Sequence, residues 1–283
     1  MHLSQGHLNV LATCPRQFQH IYLDQLRAPE TPEAQARQEW GSRFHLLMQQ
    51  HEMGLPIASL ASEDPIHQCF TAFVETAGAV LTQPSHPPQF RQSEHCRTWH
   101  LADPLGRLED GYGFTVIYDL LILDEEQAQI LDWKTYSCPE DPRRLAKNWQ
   151  TRLYLYVLAE TSPYEPEQIS MTYWFVRPQL AASPERQSSE MTPEVTQFAG
   201  PQSLRFAYSA ALHQQTQQDL THLLGQLTTW LEQYLAGTPF PQALGPCDLC
   251  NFTPRCDRND PKQNAIGTRS QLPDFESIQE VAL

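Results

Sequence analysis

Lysine is almost missing from this 283-residue sequence: Lys134, Lys147 and Lys262 are all there is, and Arg supplies the other sixteen cations. Acids outnumber bases by 33 to 19, giving a formal net charge of −14. Affinity for a phosphate backbone comes largely from Lys and Arg, so this balance excludes a protein that binds nucleic acid over its whole surface. No apolar run reaches the ~18 residues of a membrane-spanning helix, and no membrane partner is expected. The opening MHLSQGHLNV has no basic stretch leading into an apolar one. No secretory signal is therefore expected, and the cytoplasm is the default location. A G-x4-GK[ST] phosphate loop is missing too, so any ATP-driven unwinding must come from a partner. There is no internal repeat.

What is present suits a globular chain. The apolar fraction is 40%, with six Trp, enough for one large core at this length. The expected organisation is one domain over residues 1–262, with a flexible tail at 263–283. Within it, 1–89 is mainly helical, 90–210 is a mixed sheet core, and 211–262 is a helix followed by a cysteine segment. Helices are expected at 3–26 (starting at Ser4 and interrupted at Cys14-Pro15), 34–53, 65–82, 144–160 and 213–236. FRQSEHCRTWHL, YGFTVIYDLLIL and AQILDWKTY read as three strands between 90 and 136, with further strands at 169–177 and 202–208. A Pro-rich link at 83–89 and a loop at 178–201 separate these elements.

The stretch ILDWKTY, 130–136, carries the chemistry. On a strand, Asp132 and Lys134 point one way and Trp133 the other. A carboxylate there can hold a divalent cation, and the ammonium can orient a water or offset developing negative charge. A chain that otherwise prefers Arg keeps Lys at this position, and an ammonium can transfer a proton where a guanidinium cannot. Asp119 stands inside the apolar run Val116–Leu123, which is costly unless the acid is paired or metal-bound. The turn Asp124-Glu125-Glu126 makes a hairpin of the two runs, so both carboxylates can reach one cation.

Other residues are less distinctive on their own. His45 flanks the apolar stripe of Trp40, Phe44, Leu47 and Met48, where a histidine is usually ordinary. Gln150 and Tyr154, four apart, share a helix face. Arg143, Arg144, Lys147 and Arg152 join Lys134 in a local excess of cations over Glu140 and Asp141. That patch reads either as a solvated helix face or as a track for a DNA backbone.

Cys247, Cys250 and Cys256 have C-x2-C-x5-C spacing, which points to a metal rather than disulfides in a reducing compartment. No His follows them, and Cys14 is the best fourth ligand. Zinc and a [4Fe–4S] cluster both accept four thiolates, and the spacing leaves both open. Either would fasten the chain ends together and contribute folding free energy. Cys69, Cys96 and Cys138 read as small apolar fillers.

Taken in order, His45, Asp119, Asp132 with Lys134, and Gln150 with Tyr154 resemble the PD-(D/E)XK nuclease superfamily. LSQGHLNVLATCPRQF and the one-early, three-late cysteines are similar to its RecB-family branch and to the CRISPR-associated RecB-like exonucleases with an iron–sulfur cluster. Val116 departs from the Gly often found three residues before the strand Asp. The resemblance implies an α/β fold with an α-β-β-β-α-β core. It implies Mg2+ or Mn2+ held by His45, Asp119, Asp132 and the backbone carbonyl of Trp133. Lys134, Gln150 and Tyr154 would complete the catalytic set. Cys14, Cys247, Cys250 and Cys256 would hold [4Fe–4S], or structural Zn2+ as the alternative. Arg143, Arg144, Lys147 and Arg152 would track DNA, with Trp133 or Tyr136 stacking on a base. The implied activity is an exonuclease acting on DNA ends or single strands, in repair, recombination or CRISPR adaptation, with a helicase or other DNA-processing protein as partner. The alternative is a catalytically silent nuclease-like subunit that binds DNA or a partner.

Overall fold

Runs rich in β-branched and aromatic residues, punctuated by turn residues, fold as consecutive strands. The computed structural model describes residues 1–26, 29, 31–57, 64–82, 88–176, 202–243, 247 and 250–256. In it the three runs become β2 (Phe90–Leu101), β3 (Tyr112–Leu123) and β4 (Ala128–Lys134). Gly111, at φ 59°, leads into β3, and a Cβ there would collide with the Leu101 carbonyl. Asp124 holds the β3–β4 turn by accepting the Glu126 and Gln127 N–H groups.

Three more strands complete a six-stranded mixed sheet. β5 (Ile169–Phe175) runs parallel to β4, and β6 (Gln202–Ala207) lies antiparallel beyond it. The two-residue β1 (His2–Leu3) pairs parallel with Gly113 and Phe114 of β3. Helices cover both faces. On one, α1 (Gln5–Thr13), α2 (Pro15–Phe18), α6 (Trp149–Glu160) and α7 (Ala210–Leu235) bury Leu8, Phe18, Leu153 and Leu224 against Phe114, Ile130 and Met171. On the other, α3 (Pro32–Glu52) and α4 (Pro65–Thr82) bury Phe44, Met48 and Phe73 against Leu131, Trp133 and Trp174. The order α3/α4, β2, β3, β4, α6, β5 is consistent with the α-β-β-β-α-β core.

The helix expected over 144–160 is two helices, α5 (Arg143–Ala146) and α6. Asn148 breaks it: its side chain accepts the Gln150 N–H and the Asn9 side-chain amide, while Asn9 accepts the Trp149 N–H. Capping α6 and tying it to α1 outweighs helix continuity there. The helix expected from 213 starts at Ala210, because Ser209 caps the Leu212 N–H. Residues 83–87 of the link, residues 178–201 and the expected tail lie outside the described residues.

One irregularity matters for function. Tyr112, Phe114, Val116 and Tyr118 of β3 face the α6 layer, as alternation requires. Leu120 and Ile122 then face the α3 layer, while Leu121 joins the first. The alternation slips by one residue at Asp119. β2 slips opposite it: Arg91 pairs with Glu52 of α3, whereas His95 stacks on Tyr118. Between the pairs Ser93–Leu120 and His95–Tyr118 stand Glu94 and Asp119, with Glu94 at φ 50°. A non-glycine residue in that region is uncommon and often marks a functional site.

Candidate metal centre and active site

The site occupies a gap in the sheet. The β3–β4 ladder ends at Leu120–Leu131, and from there β4 pairs with β5 through Asp132–Tyr173, Trp133–Trp174 and Lys134–Phe175. On that edge, among the described residues, β3 is next paired by β1, at Gly113 and Phe114. Successive residues of a strand turn their N–H and C=O to opposite edges. Lys134 turns its carbonyl toward the β5 side, where it accepts the Val176 N–H, so Trp133 faces the gap. Asp119 Oδ2 accepts the Trp133 N–H at 2.7 Å, standing in for a strand carbonyl. The Trp133 carbonyl accepts from His45 Nε2 at 2.9 Å. Only that backbone enters the site. The Trp133 indole is buried edge-on against Phe73, so the expected stacking of Trp133 on a base is not possible. Tyr136 remains half exposed.

With Nε2 donating to a carbonyl, the Nδ1 of His45 faces Asp119 Oδ1 at 3.4 Å. That approach is favourable if Nδ1 also carries a proton, or if a cation lies between the two. Burial resists the charged imidazole, but the hydrogen bond and charge of Asp119, with Asp132 and the Trp133 carbonyl, raise its pKa. Glu94, directly across from Asp119, completes a trio whose ligand atoms all lie within 4.8 Å of one another. Burial and the Asp119 charge raise the Glu94 pKa against the pull of His45. Sequence reasoning missed Glu94. Its immediate neighbours, Gln92, Ser93 and His95, are polar, so no desolvation penalty flags it as one flags Asp119. Only the pairing register brings it into the site.

Asp132 is 1% exposed. Gln150 Nε2 donates to its Oδ2 at 2.7 Å, Lys134 Nζ lies 2.7 Å from its Oδ1, and Nζ donates to Gln150 Oε1 at 2.9 Å. Acid, base and amide thus form a closed triangle, seated where the Asn148 cap sets the first turn of α6. The ammonium takes one lone pair of Oδ1, and the oxygen's remaining lone pair keeps capacity for a cation. Burial, then repulsion from Asp119, pushes the Asp132 carboxyl up to about 7 despite Lys134 and His45. Burial alone would lower Lys134, yet the charge of Asp132 raises it. The partners gain unequally because Asp132 also faces a second carboxylate. Oxygen-rich donors around a buried carboxylate fit a hard divalent cation.

Tyr154 lies beneath Gln150. It is 4% exposed, packs edge-on against Tyr118 and hydrogen-bonds the Gln150 side chain and the Ile117 backbone. Arg143, Arg144 and Lys147 project from α5 and its end, all exposed. Arg152 is occupied otherwise: it lies over the Trp149 ring at 4.4 Å and pairs with Asp219 at 2.5 Å.

Cys14 sits at the α1–α2 junction and Cys256 ends the short turn Thr253–Cys256. Arg16 bonds the carbonyls of Pro241 and Phe240, bringing the chain ends together. The Thr253 hydroxyl ties the carbonyls of Cys247 and Cys250. None of the four is disulfide-bonded. Burial raises the Cys256 thiol; Arg16 opposes this, while Cys14, Cys250 and Cys247 add to it. The four cysteines thus share one neighbourhood, but among the described residues their sulfurs do not form a ligand group as close as that of His45, Glu94 and Asp119.

A family model described as the PD-(D/E)XK nuclease superfamily matches residues 2–257. No curated protein matches the chain. A solved structure titled "Crystal structure of SSO0001" is similar at 13% identity, covering 90% of this chain and 85% of that one, with a TM-score of 0.37.

Proposed function

The chain belongs to the PD-(D/E)XK nuclease superfamily, and from that premise we propose that it is a Mg2+- or Mn2+-dependent deoxyribonuclease acting on DNA ends or single strands. The observation that carries this reading is the gap in the sheet where Asp119, Asp132 and the Trp133 carbonyl converge, with Lys134 paired to Asp132. His45, Glu94 and Asp119 on one side, and Asp132 with the Trp133 carbonyl on the other, would hold the cation. When bound, it supplies polarisation of the phosphodiester and acidification of a water. Lys134, fixed by Asp132 and Gln150, presents a positive charge to the attacked phosphate or its water. Tyr154 keeps the Gln150 amide in place, and through it the acid–base pair.

Arg143, Arg144 and Lys147 suit contacts to the strand backbone. Arg152 braces α6 against α7 instead. Cys14, Cys247, Cys250 and Cys256 would hold a [4Fe–4S] cluster, or zinc, as a staple between the chain ends, which favours the RecB branch. Unwinding would fall to an ATP-driven partner, in repair, recombination or CRISPR adaptation. The intact Lys134–Asp132–Gln150 triangle weighs against a silent subunit, since a non-cleaving protein has little use for a buried ion pair aimed at a sheet gap.

The test is cleavage of end-labelled single-stranded DNA with Mn2+, with chelator as control. Undiminished cleavage by a pure Asp132→Ala, Lys134→Ala double variant would end the catalytic reading. Protein purified without oxygen should be brown with about four irons per chain; stoichiometric zinc and no colour would refute the cluster.

A further inference from the structure

We propose that the cleft between α3 and the metal centre seats one unstacked nucleoside of a single strand, its base and sugar without the phosphate. The inference rests on the nuclease reading above and assigns that site a substrate feature. The cleft has a volume of about 440 Å3 and is lined by Gly41, Ser42, His45, Leu46, Gln49 and Glu94, a size suited to a small ligand. Ser42, Leu46 and Gln49, spaced four and three apart, share one face of α3. Gly41 lets the helix approach the end of β4: a Cβ there would stand 3.2 Å from Thr135 Oγ1.

The lining chemistry selects the occupant. No Lys or Arg lines the cleft, so a phosphate would be held only at its edge, by a cation on His45 and Glu94, and the rest of the lining is left for the nucleoside. Leu46 is 51% exposed, off the buried stripe of Phe44, Leu47 and Met48. One exposed leucine is ordinary on a surface. This one shares its cavity with His45 and Glu94 of the metal centre. An apolar wall flanked by a neutral hydroxyl and a neutral amide matches a base, with its apolar face and hydrogen-bonding edge. A base stacked in a duplex cannot enter, so the cleft favours single strands and frayed ends.

The experiment measures binding of short fluorescein-labelled single strands with Ca2+ replacing Mg2+, walking one abasic residue along the strand. At one position the abasic residue should weaken binding about tenfold, the scale of one lost base contact. Leu46→Ala should cost the same on the normal strand, and the two changes together should cost no more than either alone. Mn2+ binding to Leu46→Ala, read by electron paramagnetic resonance, should be unchanged. Full affinity in Leu46→Ala, or two losses that multiply, would overturn the inference. Because binding is read without cleavage, an inactive wild-type enzyme with shared losses would count against the nuclease reading alone.

Discussion

The two halves of the site contrast sharply. Around Asp132 everything is closed: the carboxylate is buried, one oxygen is hydrogen-bonded, and Lys134 and Gln150 hold each other as well as the acid. Around Asp119 the site is open and overloaded with negative charge, with Glu94 facing it across the strand pair and the His45 imidazole 3.4 Å away. The first half is held by protein contacts that fix its geometry, with one carboxylate oxygen left to share with a cation. The second is finished only by a proton or a cation, and so responds to its surroundings. A hydrolase needs both, because positioning requires rigidity and metal exchange requires a site that is not already satisfied.

The largest expected effect tests whether both halves are needed. Asp119→Asn and Lys134→Ala should each lower the cleavage rate by about a thousandfold, the upper range for one transition-state charge. They should differ in stability. An Asn at 119 can still accept the Trp133 N–H and leave the fold intact. Lys134→Ala strands a buried carboxylate and should cost about 3–5 kcal/mol in urea unfolding. Equal stability of the two variants would erase the contrast.

The next effect concerns pH. Asp132, His45 and Glu94 are all raised in the folded, metal-free protein. The folded state therefore binds more protons than the unfolded one, and stability falls as pH rises. For Asp132 the loss runs from its ordinary carboxylate range up to about 7 and should reach on the order of 3 kcal/mol. Urea midpoints between pH 4.5 and 8 in chelator should decline, with a flatter slope for Asp132→Asn and for wild type with Mn2+. A wild-type slope unchanged by Mn2+ would show that the open half does not bind the metal.

Smaller effects probe the scaffold. Asn148→Ala removes the α6 cap and should cost about 1 kcal/mol, with a lower turnover number because Gln150 shifts. Least of all, Arg152→Ala should change stability by less than about 1 kcal/mol, as expected for a partly exposed pair. It should leave the salt dependence of DNA binding alone, whereas Arg143→Ala with Arg144→Ala should reduce that slope.

Much of this was legible because burial leaves marks in a sequence. Asp119 stood out among aliphatic residues, and the Asp124-Glu125-Glu126 turn placed it beside Asp132. His45 did not stand out, since an imidazole beside an apolar stripe has an ordinary explanation, and only its place in an ordered set distinguished it. Glu94 and the Arg152–Asp219 pair were invisible because they depend on strand register and on a helix 67 positions away in sequence. Asn148 was readable in principle as a cap, but the apolar periodicity around it suggested one continuous helix.

The slip at Asp119 can be read as an insertion. Remove Glu94 and Asp119 together, and Ser93–Leu120 would sit next to His95–Tyr118, with β3 alternating cleanly from Tyr112 to Ile122. A sheet built only for stability could do without these two residues. Because they lie opposite each other, the extra pair cancels in the register and disturbs no later hydrogen bond. Losing one of them would leave the other as a bulge, unpaired in the ladder. The molecule thus carries two of its reactive acids as a matched supplement to an otherwise ordinary hairpin, one that leaves the register unchanged because its members face each other.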